Sequence, residues 1–130
     1  MKNLRLQTGS RSQFLDITEQ VRQAARELGV TRGAVTVYVP HTTAGVTINE
    51  HADPEVARDV IGVLDRLVPW ADPAYRHNEG NTAAHVKAIL TGSSARVLVE
   101  DGHLQLGTWQ GIFFCEFDGP RTREVWISGD

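Results

Sequence analysis

Leu4 and Leu6 alternate with polar residues within Asn3 to Thr8, the period-two pattern of a half-buried strand. Gly9 to Ser12 has turn composition and Gln13 to Ile17 has strand composition, so the pattern predicts an opening hairpin. The period then lengthens. Val21, Ala24, Ala25 and Leu28 form one stripe of a helix over Glu19 to Leu28, with Thr18 as its cap and Gly29 at C′. Gly33 to Val39 places Val35, Val37 and Val39 on one strand face, and Ala44 to Ile48 follows as a fourth strand. Asp53-Pro54 is a helix start, an acceptor followed by proline. Val56, Val60, Val63, Leu64 and Leu67 give that helix a core face up to about Val68.

Pro69 to Asn81 lacks an apolar pattern, and a loop of that length is often functional. A short helix, Thr82 to Leu90, ends at Gly92. The rest alternates as strands: Ala95 to Glu100, His103 to Leu106, Ile112 to Phe117 and Arg123 to Ser128, with Asp101-Gly102 as a tight turn. Ile112 to Phe117 is apolar on both faces except for Glu116, so this strand is central or covered by a partner subunit. The sum is a single α+β domain over residues 1–130, a largely antiparallel sheet or sandwich of about eight strands with three helices.

Composition narrows the function classes. A 130-residue chain that is 41% hydrophobic is long enough for one buried core. Net charge is -3 with the two signs mixed, and no Lys/Arg run exists, which argues against nucleic acid and anionic membrane as partners. No apolar run approaches the ~20 residues of a membrane span. The single Cys115 rules out an internal disulfide and fits a reducing cytoplasm. Met1 to Arg5 lacks the apolar segment of a signal peptide. A cytoplasmic location is therefore expected.

The candidate chemistry clusters between the strand ending at Val39 and the helix starting at Pro54. His41, Thr42, Thr43, Asn49, Glu50, His51 and Asp53 all fall there. His77 and His85 flank the start of the third helix, and the loop between them can bring both imidazoles to one cation such as zinc. Each histidine taken alone is more often a surface or hydrogen-bonded residue. Glu50 follows Val46 and Ile48 on one strand face, where a half-buried carboxylate has a raised pKa and can act as acid or base. Asn49 orients a substrate or closes a turn, and Asp53 has its N-cap role as an alternative. Glu116 within an apolar strand needs a cation, with Arg121 and Arg123 nearby in sequence. Thr108 and Gln110, beside Gly107, either present hydrogen bonds to a ligand or form a turn.

Three separated motifs carry a resemblance. They are His41 to Glu50 with Asp53-Pro54, then Glu79-Gly80-Asn81 with Ala84 to Lys87, then Gly102 to Ile112. Together they resemble the YjbQ family, also called the secondary thiamine-phosphate synthase enzyme family, over nearly the whole chain. The resemblance implies an α+β subunit assembled as a homotrimer, a polar pocket, and a divalent metal ion in some members. It implies a weak thiamine-phosphate synthase activity, joining a hydroxymethylpyrimidine diphosphate to a thiazole phosphate, and hence a small phosphorylated substrate. Carried over by motif, His41, His77 and His85 are the candidate metal ligands, and Glu50 with Asn49, Asp53, Thr108 and Gln110 the candidate catalytic set. The alternative is a non-catalytic trimeric protein that binds a metal or metabolite.

Overall fold

The computed structural model describes residues Met1–Asp130. It contains, in chain order, β1 (Lys2–Gln7), β2 (Gln13–Asp16), α1 (Thr18–Glu27), β3 (Gly33–Tyr38), β4 (Ala44–Glu50), α2 (Pro54–Leu67), α3 (Thr82–Thr91), β5 (Ser94–Glu100), β6 (His103–Leu104), β7 (Gln110–Glu116) and β8 (Thr122–Gly129). The strands form two antiparallel sheets, ordered β1-β8-β3-β5-β6 and β2-β7-β4.

The expected α+β class, eight strands and three helices are all present, but the opening hairpin is not. β1 pairs with β8, Leu4 opposite Val125, while β2 pairs with β7, Leu15 opposite Phe114. The turn at Gly9–Ser12 carries the chain from one sheet to the other. The helix cap is also displaced by one residue, to Ile17, which offers no side-chain acceptor. Thr18 is already helical, and the acceptor for its amide is the Asp16 carboxylate at 3.0 Å.

The inner faces of the two sheets meet in the main core. Val35, Val37, Val97, Val125 and Ile127 from one sheet face Val46, Ile112 and Phe114 from the other, with Val21, Ala24 and Ala25 of α1 closing one side. β7 is the central strand of its sheet. Its other face, Phe113 with Cys115 and then Phe117, packs against Ala84 and Ala88 of α3 in a second cluster. Burial pushes the Cys115 thiol pKa far up, so it packs as a small hydrophobe rather than acting as a nucleophile.

The α2 stripe behaves differently from its pattern. No residue of α2 is buried within this chain, and Leu67 at the end of the stripe is 71% exposed. Ile89 and Leu90 on α3 are exposed as well. No helix is long and apolar enough to cross a membrane.

Candidate functional site

β3 ends at Tyr38, and the amide of Val39 donates to the Ser93 carbonyl at 2.8 Å, which anchors the chain beside the end of α3. The next residues, Pro40 to Thr43, therefore line the wall of a cavity of about 470 Å³. The remaining wall comes from the long loop (His77, Glu79), the start of α3 (Asn81, His85) and the turn before and into β8 (Asp118, Arg121, Arg123). Apart from the Pro40 ring, every lining side chain carries a polar or charged group.

The three imidazoles named from the sequence, His41, His77 and His85, share this cavity. The rings of His77 and His85 meet edge to face, centroids 5.4 Å apart at 85°. His77 Nε2 lies 3.9 Å from a Glu79 carboxylate oxygen. His41 is committed elsewhere: its Nε2 accepts the backbone amide of Glu124 at 2.9 Å. Burial, and then the charge of Arg123, hold its pKa below the ordinary value of 6.5. His41 is thus neutral at pH 7 with its proton on Nδ1, a donor rather than a lone pair.

That assignment bears on a bound metal. A three-imidazole centre needs three free lone pairs within reach of one ion, and His41 has given up its Nε2. No three His, Cys, Asp or Glu side chains are grouped as metal ligands anywhere in the chain. The residues present do not fit a zinc ion held by His41, His77 and His85.

Beneath the cavity lies a buried ion pair. Glu116 and Arg123 are 0% and 3% exposed. Arg123 Nε donates to Glu116 at 2.8 Å, and the same guanidinium donates to the Thr43 hydroxyl at 2.8 Å. Glu116 also accepts from the Thr8 hydroxyl and from the amides of Phe117 and Asp118, at 2.8, 3.1 and 3.0 Å. Burial alone would raise its pKa. The hydrogen bonds from Arg123, Asp118 and Thr8 outweigh burial and hold it below the usual glutamate value. The sequence left Arg121 and Arg123 both open as partners, and the geometry selects Arg123. Arg121 instead meets Asp118 at 3.1 Å. Asn81 is 6% exposed; its amide N–H donates to Asp118 at 2.8 Å, while its Oδ1 has no partner.

The other residues named from the sequence stand apart from this cavity. Asn49 and Glu50 line a smaller groove with Phe14, Val60, Leu64 and Phe113. The reason is the length of β4: His41 precedes it, Glu50 ends it, and seven residues at about 3.3 Å each separate the two ends by roughly 20 Å. Asp53 is the N-cap of α2 and accepts the Glu55 amide at 2.9 Å. Gln110 Oε1 accepts the Gly107 amide at 2.8 Å and closes the turn that carries Thr108. His51 pairs with Asp16 at 2.7 Å.

The arginines, Asn81 and Asp118 were not singled out as lining residues by the sequence. One signal was available. Arg123 shares a strand face with Val125 and Ile127, so a guanidinium was pointing at the core.

Comparison with known proteins follows the same lines. The sequence profile described as UPF0047 protein YjbQ-like matches residues 2–129. A UPF0047 protein, YugU of Bacillus subtilis, is 53% identical over 98% of this chain and 96% of its own length. YjbQ of Escherichia coli O157:H7 is 36% identical over 88% of this chain and 85% of its own length. The crystal structure of a YjbQ/UPF0047 protein from Clostridium acetobutylicum superimposes with a TM-score of 0.96 at 51% identity, covering 98% of each chain. A conserved hypothetical protein of Thermus thermophilus gives 0.91 at 46% identity, again over 98% of each chain.

Proposed function

Because the chain belongs to the UPF0047 protein YjbQ-like family, we propose that it is an enzyme acting on a small phosphorylated substrate in the polar cavity that holds His41, His77 and His85. The carrying observation is the charge of that cavity. Two guanidiniums and three imidazoles face two carboxylates, Glu79 and Asp118, in a space whose one hydrocarbon side chain is the Pro40 ring. Phosphate oxygens take charge-assisted N–H donors of this kind. Asn81 Oδ1 adds a buried acceptor without a donor, which a substrate hydroxyl or amine would satisfy.

The activity implied by the family resemblance suits such a lining. In thiamine-phosphate synthesis a bond forms between the methylene carbon of the pyrimidine and the thiazole nitrogen. The bond from that carbon to the diphosphate oxygen breaks, and its electron pair leaves with the diphosphate. Donors placed around the leaving group stabilise the charge it gains. Arg121, His85 and the Nδ1–H of His41 are the donors assigned to this role, and the Glu116–Arg123 pair holds the wall on which they stand.

Thiamine phosphate formation by wild type, His85→Ala and Arg121→Gln tests the reading. Each variant is expected to lose about a hundredfold in rate, the usual effect of removing one transition-state donor. Equal rates in all three would remove the cavity from the chemistry. A second reading, a binding protein without turnover, is favoured by the engagement of both arginines with carboxylates. Calorimetric binding of the phosphorylated substrates with no product formed would select it.

The protein is also proposed to assemble as a homotrimer. Support comes from the α2 stripe and from Ile89, 78% exposed, which together leave more apolar side chain in water than a lone subunit needs. Sedimentation at micromolar concentration is expected to give a trimer for wild type and a smaller species for Leu67→Glu/Ile89→Glu. A monomeric wild type would contradict the assignment.

A further inference from the structure

Lys87 of α3 is 2% exposed, and its only side-chain partner in the protein is the Asp65 carboxylate of α2. An ammonium has three donors, so Asp65 leaves two unused. A cation taken that far from water needs its donors satisfied. Lys87 lines a cavity of about 520 Å³, separate from the histidine cavity, whose opposite wall is Ser10, Arg11 and Ser12. The Arg11 guanidinium stacks 4.1 Å above the centre of the Trp70 ring, which also faces the cavity. The cation–π contact engages the guanidinium through its charge, and none of its N–H groups bonds to the protein.

The wall carrying Arg11 is held in place. Its carbonyl accepts the Gly119 amide at 3.1 Å, and the Gly9 amide donates to Gln13 Oε1 at 2.8 Å. A Cβ on Gly119 would come within 2.4 Å of the Ser10 carbonyl, so the two turns touch with no space for a side chain. The turn at Asp118 to Arg121 lines the histidine cavity, and the turn at Ser10 to Ser12 lines this one. The two cavities therefore lie back to back across one contact.

We propose that the Lys87–Arg11 cavity is a binding site for a small tetrahedral oxyanion, of the phosphate class. The two cations exceed the single carboxylate Asp65 by one charge, which selects an anion. Donors stand on opposing walls, the ammonium on the helix side and the guanidinium with the Ser12 hydroxyl on the loop side, the Ser10 hydroxyl donating to the Ser12 carbonyl. A tetrahedral anion presents oxygens to both walls, whereas a planar carboxylate meets one. The volume exceeds that of a bare anion, so the phosphate arrives on a larger molecule. The competing account is that Lys87 and Asp65 only tie α3 to α2.

Trp70 reports on the site once the other two tryptophans are replaced, as Trp109→Phe/Trp126→Phe. In that protein, inorganic phosphate at constant ionic strength is expected to give a saturable change in Trp70 fluorescence, and acetate none. Arg11→Gln, at an exposed position where folding is not at issue, is expected to weaken phosphate about tenfold, and Lys87→Met to abolish the response. His85→Ala is expected to leave it intact, which separates this site from the histidine cavity. No saturable response to phosphate, or one that Arg11→Gln leaves unchanged, overturns the proposal. So does a response lost in His85→Ala but kept in Arg11→Gln.

Discussion

Glu116→Ala is expected to cost about 3–5 kcal/mol of folding stability, because it strands the Arg123 guanidinium in a buried site with no counter-charge. Small domains have only about 5–15 kcal/mol in total, so the variant should be folded at low temperature and largely unfolded at 37 °C. Arg123→Met should cost a similar amount from the other side. The double variant should recover little. The Thr8 hydroxyl and the amides of Phe117 and Asp118 also donate to Glu116, and they would remain buried without an acceptor. Urea denaturation of the two single variants and the double measures all three values. A double variant as stable as wild type would mean the pair is not what holds this corner together.

The same carboxylate gives a pH signature. Its folded pKa lies below the ordinary value of 4.5, so its contribution is complete above that value and is lost as pH falls through the lower folded value. His41 adds loss of the same sign in a higher window. Its folded pKa lies below 6.5, so stability is full above 6.5 and declines as the pH falls through the folded value. Wild type should therefore lose stability in two acid steps. A Glu116 variant should keep the upper step and show a reduced lower one. Asp16 shares the acid range, its burial outweighed by hydrogen bonds from Thr18 and His51 that hold it below its ordinary value.

Gly45→Val is the second large effect, expected at about 3 kcal/mol or more. A Cβ on Gly45 would sit 2.2 Å from the Thr91 hydroxyl and 2.6 Å from the backbone oxygen of Gly92. The threonine can rotate, but the backbone oxygen cannot, since it already accepts the Val46 amide at 3.0 Å. Either that hydrogen bond breaks or the end of α3 lifts from β4. Because α3 also carries His85, lifting it widens the histidine cavity, so ligand affinity should fall along with the denaturation midpoint. Gly62→Ala is the matching control. It lies mid-helix in α2 with only the tip of Arg66 nearby, and should be neutral or stabilising by about 0.5–1 kcal/mol. A Gly45→Val protein with an unchanged midpoint would refute the close packing of α3 on β4.

The valine alternation of β3 and the doubly apolar run of β7 were readable because each records a local face. Val35 and Val37 are fully buried, and β7 lies at the centre of its sheet. Partner choice is not local, which is why an apparent hairpin at residues 3–17 turned out to be two strands in two sheets. The α2 stripe failed in another way. Periodicity records that a face is to be covered, and is silent on whether the cover comes from the same chain.

At the site, the chemistry-bearing residue types were visible, and the structure brings three of the imidazoles to one cavity. What sequence could not supply was the use each group is put to. The Nε2 of His41 is occupied by a backbone amide that comes from residue 124, and Glu50 lies a full strand away. Lys87 entered only as the last residue of the Ala84 to Lys87 motif, and only the packing of α2 and α3 puts it inside.

The pairing of the strands has a further bearing on how this chain comes off the ribosome. β1 finds its one neighbour in β8, and β2 and β4 find theirs in β7. Three of the first four strands must wait, edges unprotected, until residues beyond 110 have been synthesised, and such late-closing, long-range pairings fold slowly. Only β3 is relieved earlier, when β5 emerges beside it. The last fifth of the polypeptide is thus what converts a string of sticky ribbons into a molecule.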